Sequence, residues 1–265
     1  MVPFTKMHGL GNDYVYIDCT REELENPNRL AEIVSKPHFG VGSDGLILIC
    51  NSDVADFKMR MFNKDGTEGE MCGNGIRCVG KFVYEKGLTQ KKDLSIETLG
   101  GIKLLGLQIE DERVVSVTVD MGEPVTEEEF TVTVQGNPFT VKPISIGNPH
   151  GVVLVEDVAN FEIETYGPWL EHDPHFPERA NIEFVQVLDN HTILMRVWER
   201  GCGETLACGT GSSASAVACI LKGLVNREVT VKLLGGELLV RWDENTNHVF
   251  MTGPATTVFN GELEI

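Results

Sequence analysis

The sequence predicts an α+β fold with two similar domains, each a β-sheet wrapped around one central helix. The first observation is an internal repeat. RVWERGCGETLACGTG at 196–211 matches RMFNKDGTEGEMCGNG at 60–75 without a gap, and Cys208 stands 136 residues after Cys72 (208 − 72 = 136). The second is that each copy follows a strand-like segment and precedes an apolar segment with helical spacing. A helix that is apolar nearly all round is typical of burial inside a sheet layer.

In the first half of the chain, short apolar or alternating segments predict strands. One helix is predicted over 27–36, with Pro27 in its first turn. Another follows the Cys72 turn (71–75), with Gly87 as its C-cap. The predicted strands are YVYIDC (14–19), LILIC (46–50), FKMRMF (57–62), LSIETL (94–99), IKLLGLQI (102–109) and VVSVTVDMG (114–122).

The second half repeats this plan, with helices predicted over 161–172 and after the Cys208 turn (207–211). Because GEPVTEEEF (122–130) breaks the strand pattern, the domains are predicted to span 1–122 and 123–256. The predicted strands are VVLVED (152–157), EFVQVLD (183–189), ILMRVWE (193–199), VTVKLL (229–234), GELLVRW (236–242) and HVFMTG (248–253).

The composition is that of an ordinary soluble globular protein, with 42% hydrophobic and 23% charged residues. A formal net charge of −18 argues against a nucleic-acid or anionic-membrane partner, because both bind basic surfaces. The first residues, MVPFTKMHGLGNDY, lack the apolar core of a signal peptide, and no apolar run is long enough to span a bilayer. We therefore expect a cytoplasmic protein.

The cysteines and histidines predict neither a disulfide framework nor a metal site. There are seven cysteines without a CxxC pair and seven histidines without an HxxxH pair. Four of the cysteines are interpreted as small buried hydrophobic residues: Cys19, Cys50, Cys78 and Cys219.

The Cys72 and Cys208 turns have a different interpretation, because each cysteine stands between a strand and a helix. Backbone N–H groups at a helix start favour an anion such as a carboxylate, and the same field lowers the pKa of a neighbouring thiol. Asn74 and Thr210 occupy matching positions and are expected to act as N-caps.

Two such thiols predict a reaction that inverts a tetrahedral carbon. A thiolate removes a proton from one face while a thiol delivers another proton to the opposite face. A single base would tend to return the proton to the face it left. The sequence therefore predicts a two-base racemase or epimerase of an amino acid.

Polar residues recur in the two copies next to glycines, as ligand-facing groups would, although turn formation alone is an alternative explanation. The pairs that share the offset of Cys72 and Cys208 are Asn12 with Asn148, Asn63 with Glu199, and Gly45 with Asn181.

Three residues at or beside these positions are candidates for charge chemistry. Glu199 and His150 are predicted to hold a proton near the thiols and to set which thiol is ionised. A solvated glutamate and a core histidine are the alternatives. Arg200 is predicted to clamp a carboxylate, with a surface charge at a strand end as the alternative.

These motifs resemble those of diaminopimelate epimerases. The resemblance is carried by KMHGLGNDYVYID, GVGSDG, MRMFNKDGTEGEMCGNGIRC, IGNPH, RANIEFV and VWERGCGETLACGTGSSA. It implies the diaminopimelate epimerase-like fold, with two pseudo-symmetric domains that are each a barrel-like sheet around a central helix, and a homodimer. In this family the C-terminal strand can return to the first domain, which here is segment 257–265.

The resemblance also implies an isomerase that interconverts LL- and meso-2,6-diaminopimelate for lysine and peptidoglycan synthesis. It needs no pyridoxal phosphate or other cofactor. Cys72 and Cys208 would be its base and acid, tuned by His150 and Glu199. The residues implied to hold the substrate are Asn12, Asn63, Asn148, Asn181, Glu199 and Arg200, with the amides of Gly73, Asn74, Gly209 and Thr210 on the reacting carboxylate. Some members carry glutamine where this chain has Gly45, so that contact is missing here.

Three other functions remain open at this point. A proline or hydroxyproline racemase, or an isomerase of the phenazine-biosynthesis type, would share the fold. A thiol hydrolase or transferase would use one nucleophilic cysteine and would have no use for the second. A non-catalytic amino-acid-binding module would tolerate Cys72→Ala.

Overall fold

The computed structural model describes residues 1–264, which form two compact units. One comprises Met1–Val119 together with the chain from Gly253 onward, and the other comprises Asp120–Thr252. The predicted domain limits at 122 and 256 stay a prediction. The last position of the predicted segment 257–265 lies outside the described residues.

The described residues contain four helices and nineteen strands. The helices are α1 (Pro27–Val34), α2 (Gly73–Glu85), α3 (Ile163–Glu171) and α4 (Gly209–Leu221). The strands are β1 (Val2–Gly9), β2 (Asn12–Asp18), β3 (Gly45–Cys50), β4 (Phe57–Asn63), β5 (Glu68–Gly69), β6 (Asp93–Thr98), β7 (Gly101–Glu110), β8 (Arg113–Gly122), β9 (Val125–Thr126), β10 (Phe130–Val134), β11 (Asn137–Ser145), β12 (Pro149–Leu154), β13 (Asn181–Asp189), β14 (Thr192–Glu199), β15 (Gly203–Thr205), β16 (Glu228–Leu233), β17 (Gly236–Trp242), β18 (Val249–Gly253) and β19 (Thr256–Leu263).

In the first unit, the sheet mixes antiparallel and parallel pairs. Strand β1 pairs with β19 and β2, and β2 runs parallel to β3. Strand β3 pairs antiparallel with β4, and β4 runs parallel to β6, which continues through β7 to β8. Parallel neighbours need a long crossover, and α1 and α2 supply the two crossovers. The fully buried Phe62 and Leu46 belong to the core on which α1 packs.

The second unit repeats the order of the first. Strand β11 pairs with β12, β12 runs parallel to β13, β13 pairs with β14, and β14 runs parallel to β16. Strands β16, β17 and β18 then form an antiparallel run. Helix α3 lies between β12 and β13, and α4 lies between β14 and β16. The predicted repeat is therefore confirmed as a repeat of topology as well as of sequence.

Helices α2 and α4 occupy equivalent places, since both their first and last residues differ by 136 (209 − 73 and 221 − 85). Each has ten buried residues out of thirteen. Helix α4 contacts strands β11, β12, β13, β14, β16 and β17, and α2 contacts β1, β2 and β7. This confirms the predicted α+β class, with a mostly buried helix against the sheet of each unit.

Local sequence patterns did not predict several strands, chiefly β1 and the β10–β11 hairpin, and only the family resemblance placed a strand in segment 257–265, where β19 lies. Strand β11 contains Pro138 and Pro143, which weaken a strand signal. Strand β19 is largely exposed and has only a few apolar residues. Its pairing with β1 is long-range, so no local pattern predicts it. Within residues 1–264, no helix combines the length and apolar character needed to cross a membrane.

Candidate active site

Each of the two cysteines caps a central helix with its own thiol. Cys72 is the N-cap of α2, and the Gly75 N–H donates to its Sγ at 3.3 Å. Cys208 is the N-cap of α4, and the Gly211 N–H donates to its Sγ at 3.4 Å. Both cysteines have extended backbones, as N-caps do. The expectation that Asn74 and Thr210 are the caps is therefore wrong, because these residues lie inside the first turn.

The Cys72 thiol lies beside a predicted ligand-binding asparagine. The Cys72 S–H donates to Asn12 Oδ1 at 3.1 Å, and Asn12 Nδ2 donates to Asp44 Oδ2 at 2.9 Å. Asn12 begins β2, Gly45 begins β3 and Asn63 ends β4, with Gly45 directly paired to Asn63. The fold thus brings these three residues to one edge of the sheet.

At Gly45 two chain segments approach closely. A Cβ there would clash with the carbonyl oxygen of Phe62 and would lie 2.9 Å from the Tyr14 ring. The position where some relatives carry glutamine therefore has no room for a side chain unless the backbone shifts. Beside it, Asn63 Nδ2 donates to Thr67 Oγ1 at 3.0 Å.

A buried arginine organises the start of α2. Arg77 has no exposed surface, and its Nη1 and Nη2 donate to Gly73 O and Asn74 Oδ1, each at 3.0 Å. Its Nε donates to Pro254 O at 3.1 Å. Burial lowers the pKa of Arg77, whereas electrostatic attraction to Cys78 and Cys72 opposes that shift. No sequence pattern had indicated a role for Arg77.

The Cys208 thiol lies among acidic groups. Glu199, at the end of β14, hydrogen-bonds to Cys208 and accepts a hydrogen bond from Thr205 Oγ1. Thr210 Oγ1 lies 3.5 Å from Cys208 Sγ. Glu199 and Thr210, which are both predicted site residues, thus lie beside the Cys208 thiol. Thr205 also lies in this cluster but was not predicted.

Burial raises the pKa of the Cys208 thiol well above its ordinary value, and the charges of Glu199 and Glu183 raise it further. Hydrogen bonds from Thr210 and the Gly211 N–H lower this pKa but are outweighed. The helix-start N–H of Gly211 thus lowers the thiol pKa as expected, but the pKa of Cys208 is raised overall. Desolvation of the thiolate and two nearby carboxylates are the stronger effects.

Burial also raises the pKa of Glu199, and the charge of Glu183 adds to the rise. The hydrogen bonds from Thr205 and Cys208 and the charge of His150 lower this pKa. Glu199 therefore lies in a surrounding that favours its protonated form more than water does.

Glu199→Gln is expected to change how stability depends on pH. A carboxyl whose pKa is raised in the folded state adds stability that is complete below its unfolded pKa, about 4.3, and is lost as pH rises through the folded value. Glutamine cannot lose a proton. Relative to wild type, the variant should therefore resist urea better at pH 8 than at pH 4, measured as midpoints of unfolding. An equal difference between the proteins at both pH values would contradict the raised pKa.

The remaining predicted residues of the second unit lie around the strand ends. His150 has no exposed surface, and its Nε2 lies 3.1 Å from Asn148 Oδ1. Asn181 begins β13, next to His150 across the parallel pair, and its Oδ1 accepts the Arg200 N–H at 2.8 Å. The Arg200 guanidinium donates to Glu178 O at 2.9 Å.

Glu183 is the main residue of this cluster that the sequence analysis missed. Its Oε1 lies 2.7 Å from His150 Nδ1, and its side chain is fully buried. An acidic residue between Ile182 and Phe184 in an apolar strand was a usable signal. In the described part of the chain, no three His, Cys, Asp or Glu side chains are grouped so that they could hold a metal ion.

Comparisons with known proteins identify the family of the chain. The family model for diaminopimelate epimerase matches residues 4–127 and 143–258. A protein of Methanococcus maripaludis (strain C6) named diaminopimelate epimerase is 54% identical, over 99% of both chains.

Two solved structures show the same fold at low identity. A probable proline racemase of Agrobacterium radiobacter K84 has a TM-score of 0.78 at 15% identity, covering 100% of this chain and 93% of that one. A PhzF-family phenazine biosynthesis protein of Bacillus anthracis has a TM-score of 0.76 at 19% identity, covering 100% and 99%. With the family model matching most of its length, the chain belongs to the diaminopimelate epimerase family.

Proposed function

We propose that the chain is an isomerase that interconverts LL- and meso-2,6-diaminopimelate, without a cofactor, in the supply of lysine and peptidoglycan precursors. The observation that carries the proposal is the pair of thiol-capped helix starts, one in each copy of the repeat. Family membership supplies the substrate, since the relatives at 54% identity carry that name.

The proposed mechanism uses Cys72 as the thiolate and Cys208 as the thiol when the LL isomer reacts, so the Cys72 S–H that donates to Asn12 Oδ1 is first lost to solvent. Arg77 is attracted electrostatically to Cys72, and this favours negative charge at that sulfur. Cys208 instead has Glu199 and Glu183 beside it, and these oppose a second negative charge. Cys72 then removes the α-proton of the LL isomer, and Cys208 delivers a proton to the opposite face. The reverse reaction exchanges these roles.

The carbanion needs strong stabilisation, because an α-proton is far less acidic than a thiol. We assign the reacting carboxylate to the first-turn amides of the two helices, which belong to Gly73, Asn74, Gly209 and Thr210. The positive ends of two helix dipoles would oppose the growing negative charge. We assign the distal amino acid end of the substrate to Asn12, Asn63, Asn148, Asn181 and Arg200. His150 and Glu199 would set the protonation of Cys208.

The substrate assignment predicts turnover of LL-diaminopimelate and of neither proline nor trans-4-hydroxyproline. The full chain is incubated with each compound, and stereoisomers are separated by chiral chromatography. Formation of meso-diaminopimelate alone supports the assignment. Turnover of a cyclic amino acid without turnover of diaminopimelate would indicate a proline or hydroxyproline racemase instead. Tight binding of diaminopimelate without turnover would indicate a binding module.

We also propose a cytoplasmic homodimer. The proposed role in the supply of lysine and peptidoglycan precursors supports the cytoplasm, and family membership supports the dimer. Light scattering on the purified chain tests the dimer, since a mass near 29.2 kDa would show a monomer.

A further inference from the structure

Glu183 is a buried acid for which the fold alone gives no reason. Its Oε1 lies 2.7 Å from His150 Nδ1, while its buried Oε2 accepts no hydrogen bond from the residues described, 1–264. Burying a carboxyl group of which only one oxygen has a hydrogen-bond partner costs folding free energy. Such a group inside an apolar strand is therefore a candidate for a functional role.

Glu183 is the first member of a buried chain of polar contacts. His150 Nδ1 faces Glu183, and His150 Nε2 lies 3.1 Å from Asn148 Oδ1. Because an amide oxygen only accepts, Nε2 carries a hydrogen. The contact at Nδ1 then fixes the plane of the ring. With Oδ1 occupied by the ring, the amide nitrogen is the group that Asn148 offers to a ligand.

The first unit shows that the fold accepts a hydrocarbon at this place. Ile47 precedes Glu183 by the repeat offset (183 − 47 = 136) and lies on β3, as Glu183 lies on β13. A Cβ built on Gly75 would lie 2.7 Å from Ile47 Cδ1, and one built on Gly211 would lie 2.5 Å from Glu183 Oε1. Both side chains thus pack under the first turn of the central helix.

We infer that Glu183 is a positioning residue that acts through His150 to present the Asn148 amide nitrogen to the distal carboxylate of the substrate. The inference rests on the proposed function in one respect, that Asn148 binds substrate. The first unit has Tyr14 at the place of His150, so this acid–histidine–asparagine chain belongs to the Cys208 copy alone.

The test compares Glu183→Ile with Glu183→Gln in the full chain. Isoleucine reproduces the packing of the first unit and removes the contact with His150, so Asn148 is free to rotate. The KM for LL-diaminopimelate should rise about tenfold, the effect of one lost or reversed hydrogen bond. Glutamine keeps a hydrogen bond to Nδ1 and should stay within about threefold of the wild-type KM. Glu183→Ile leaves the buried His150 Nδ1 without its partner and should melt below wild type, whereas Glu183→Gln keeps that contact and should melt closer to wild type, so KM is compared on folded protein.

A double-mutant cycle tests whether Glu183 affects KM through Asn148. In an Asn148→Ala background, Glu183→Ile should raise KM no further, since the residue it orients is already gone. A wild-type KM for Glu183→Ile, or an effect that persists in full without Asn148, would overturn the inference. A loss of activity that only follows a loss of folded protein, or equal KM values for isoleucine and glutamine, would also overturn it. If Glu183→Ile does not fold, Glu183→Met, with a more adaptable side chain, takes its place.

A measurement without substrate separates this inference from the proposed function. Nitrogen-15 NMR of histidine-labelled free protein should show the hydrogen-bonded His150 Nδ1 signal in wild type and Glu183→Gln, and its loss in Glu183→Ile. Unchanged signals in Glu183→Ile would refute the positioning role whatever the substrate is. Wild-type protein that leaves diaminopimelate unchanged, with NMR signals as expected, would refute the proposed function alone.

Discussion

Replacing Cys72 or Cys208 by alanine is expected to lower kcat for diaminopimelate epimerisation by at least about a thousandfold, within the range that a positioned acid or base contributes. Each reaction direction needs one thiolate to take a proton and one thiol to give one, so either deletion stops the inversion. The rate is measured by chiral chromatography of the product from LL- and from meso-diaminopimelate.

Cysteines of the same helices provide matched controls. Cys219 lies fully buried in α4, and burial raises its pKa to about 12, so it is a poor base at neutral pH. Cys78 lies buried in α2, and burial raises its pKa to about 11. Alanine at either position should leave kcat within a few-fold of wild type. A Cys72→Ala or Cys208→Ala enzyme that retains the wild-type rate would exclude the proposed chemistry.

Arg77→Leu is expected to reduce the free energy of unfolding by about 3 kcal/mol, since removing one partner from a buried charged network leaves the others unsatisfied. Gly73 O, Asn74 Oδ1 and Pro254 O would lose donors inside the protein. The same change would disorder the first turn of α2 and remove the positive charge that favours the Cys72 thiolate. Urea unfolding gives the stability, and kcat at saturating substrate gives the catalytic effect.

Arg77→Lys separates the charge from the geometry. Lysine keeps the positive charge but cannot reproduce the planar fork of the guanidinium. It should lose stability as Arg77→Leu does while retaining more of kcat. Equal stability of wild type and Arg77→Leu would show that the contacts of Arg77 do not hold the helix start.

Much of the fold could be predicted from the sequence, because the patterns that indicate its helices and strands are local and occur in both halves of the chain. The predicted helices 27–36 and 161–172 correspond to α1 and α3 with ends within two residues. The repeated cysteine turns correctly placed the starts of α2 and α4. Strand β1 was missed because VPFTKMHG lacks a clear alternation of apolar and polar residues. Only the family resemblance indicated β19, since its pairing with β1 joins residues about 250 positions apart, which no local pattern reports (259 − 6 = 253 for Lys6 and Phe259).

The candidate site was less predictable because burial decides its chemistry. The N-cap role of Cys72 and Cys208 depends on backbone angles, and residue type alone favoured Asn74 and Thr210 instead. The pKa of Cys208 depends on how deeply the thiol is buried and on the carboxylates folded against it. These are tertiary properties, so the sequence indicated the lowering effect of the helix start but not the larger effects that raise the pKa of that thiol.

The most direct test of the two-base mechanism is the position of deuterium after a brief reaction of wild-type enzyme with LL-diaminopimelate in deuterated water. A thiol that has taken a proton holds that one proton and returns it to the same face, while the opposite thiol has already exchanged with solvent. At low conversion, meso-diaminopimelate should therefore carry one deuterium at the inverted carbon, and recovered LL-diaminopimelate should carry none. Deuterium appearing in recovered LL-diaminopimelate as fast as in the product would show that one base serves both faces, and would contradict the mechanism.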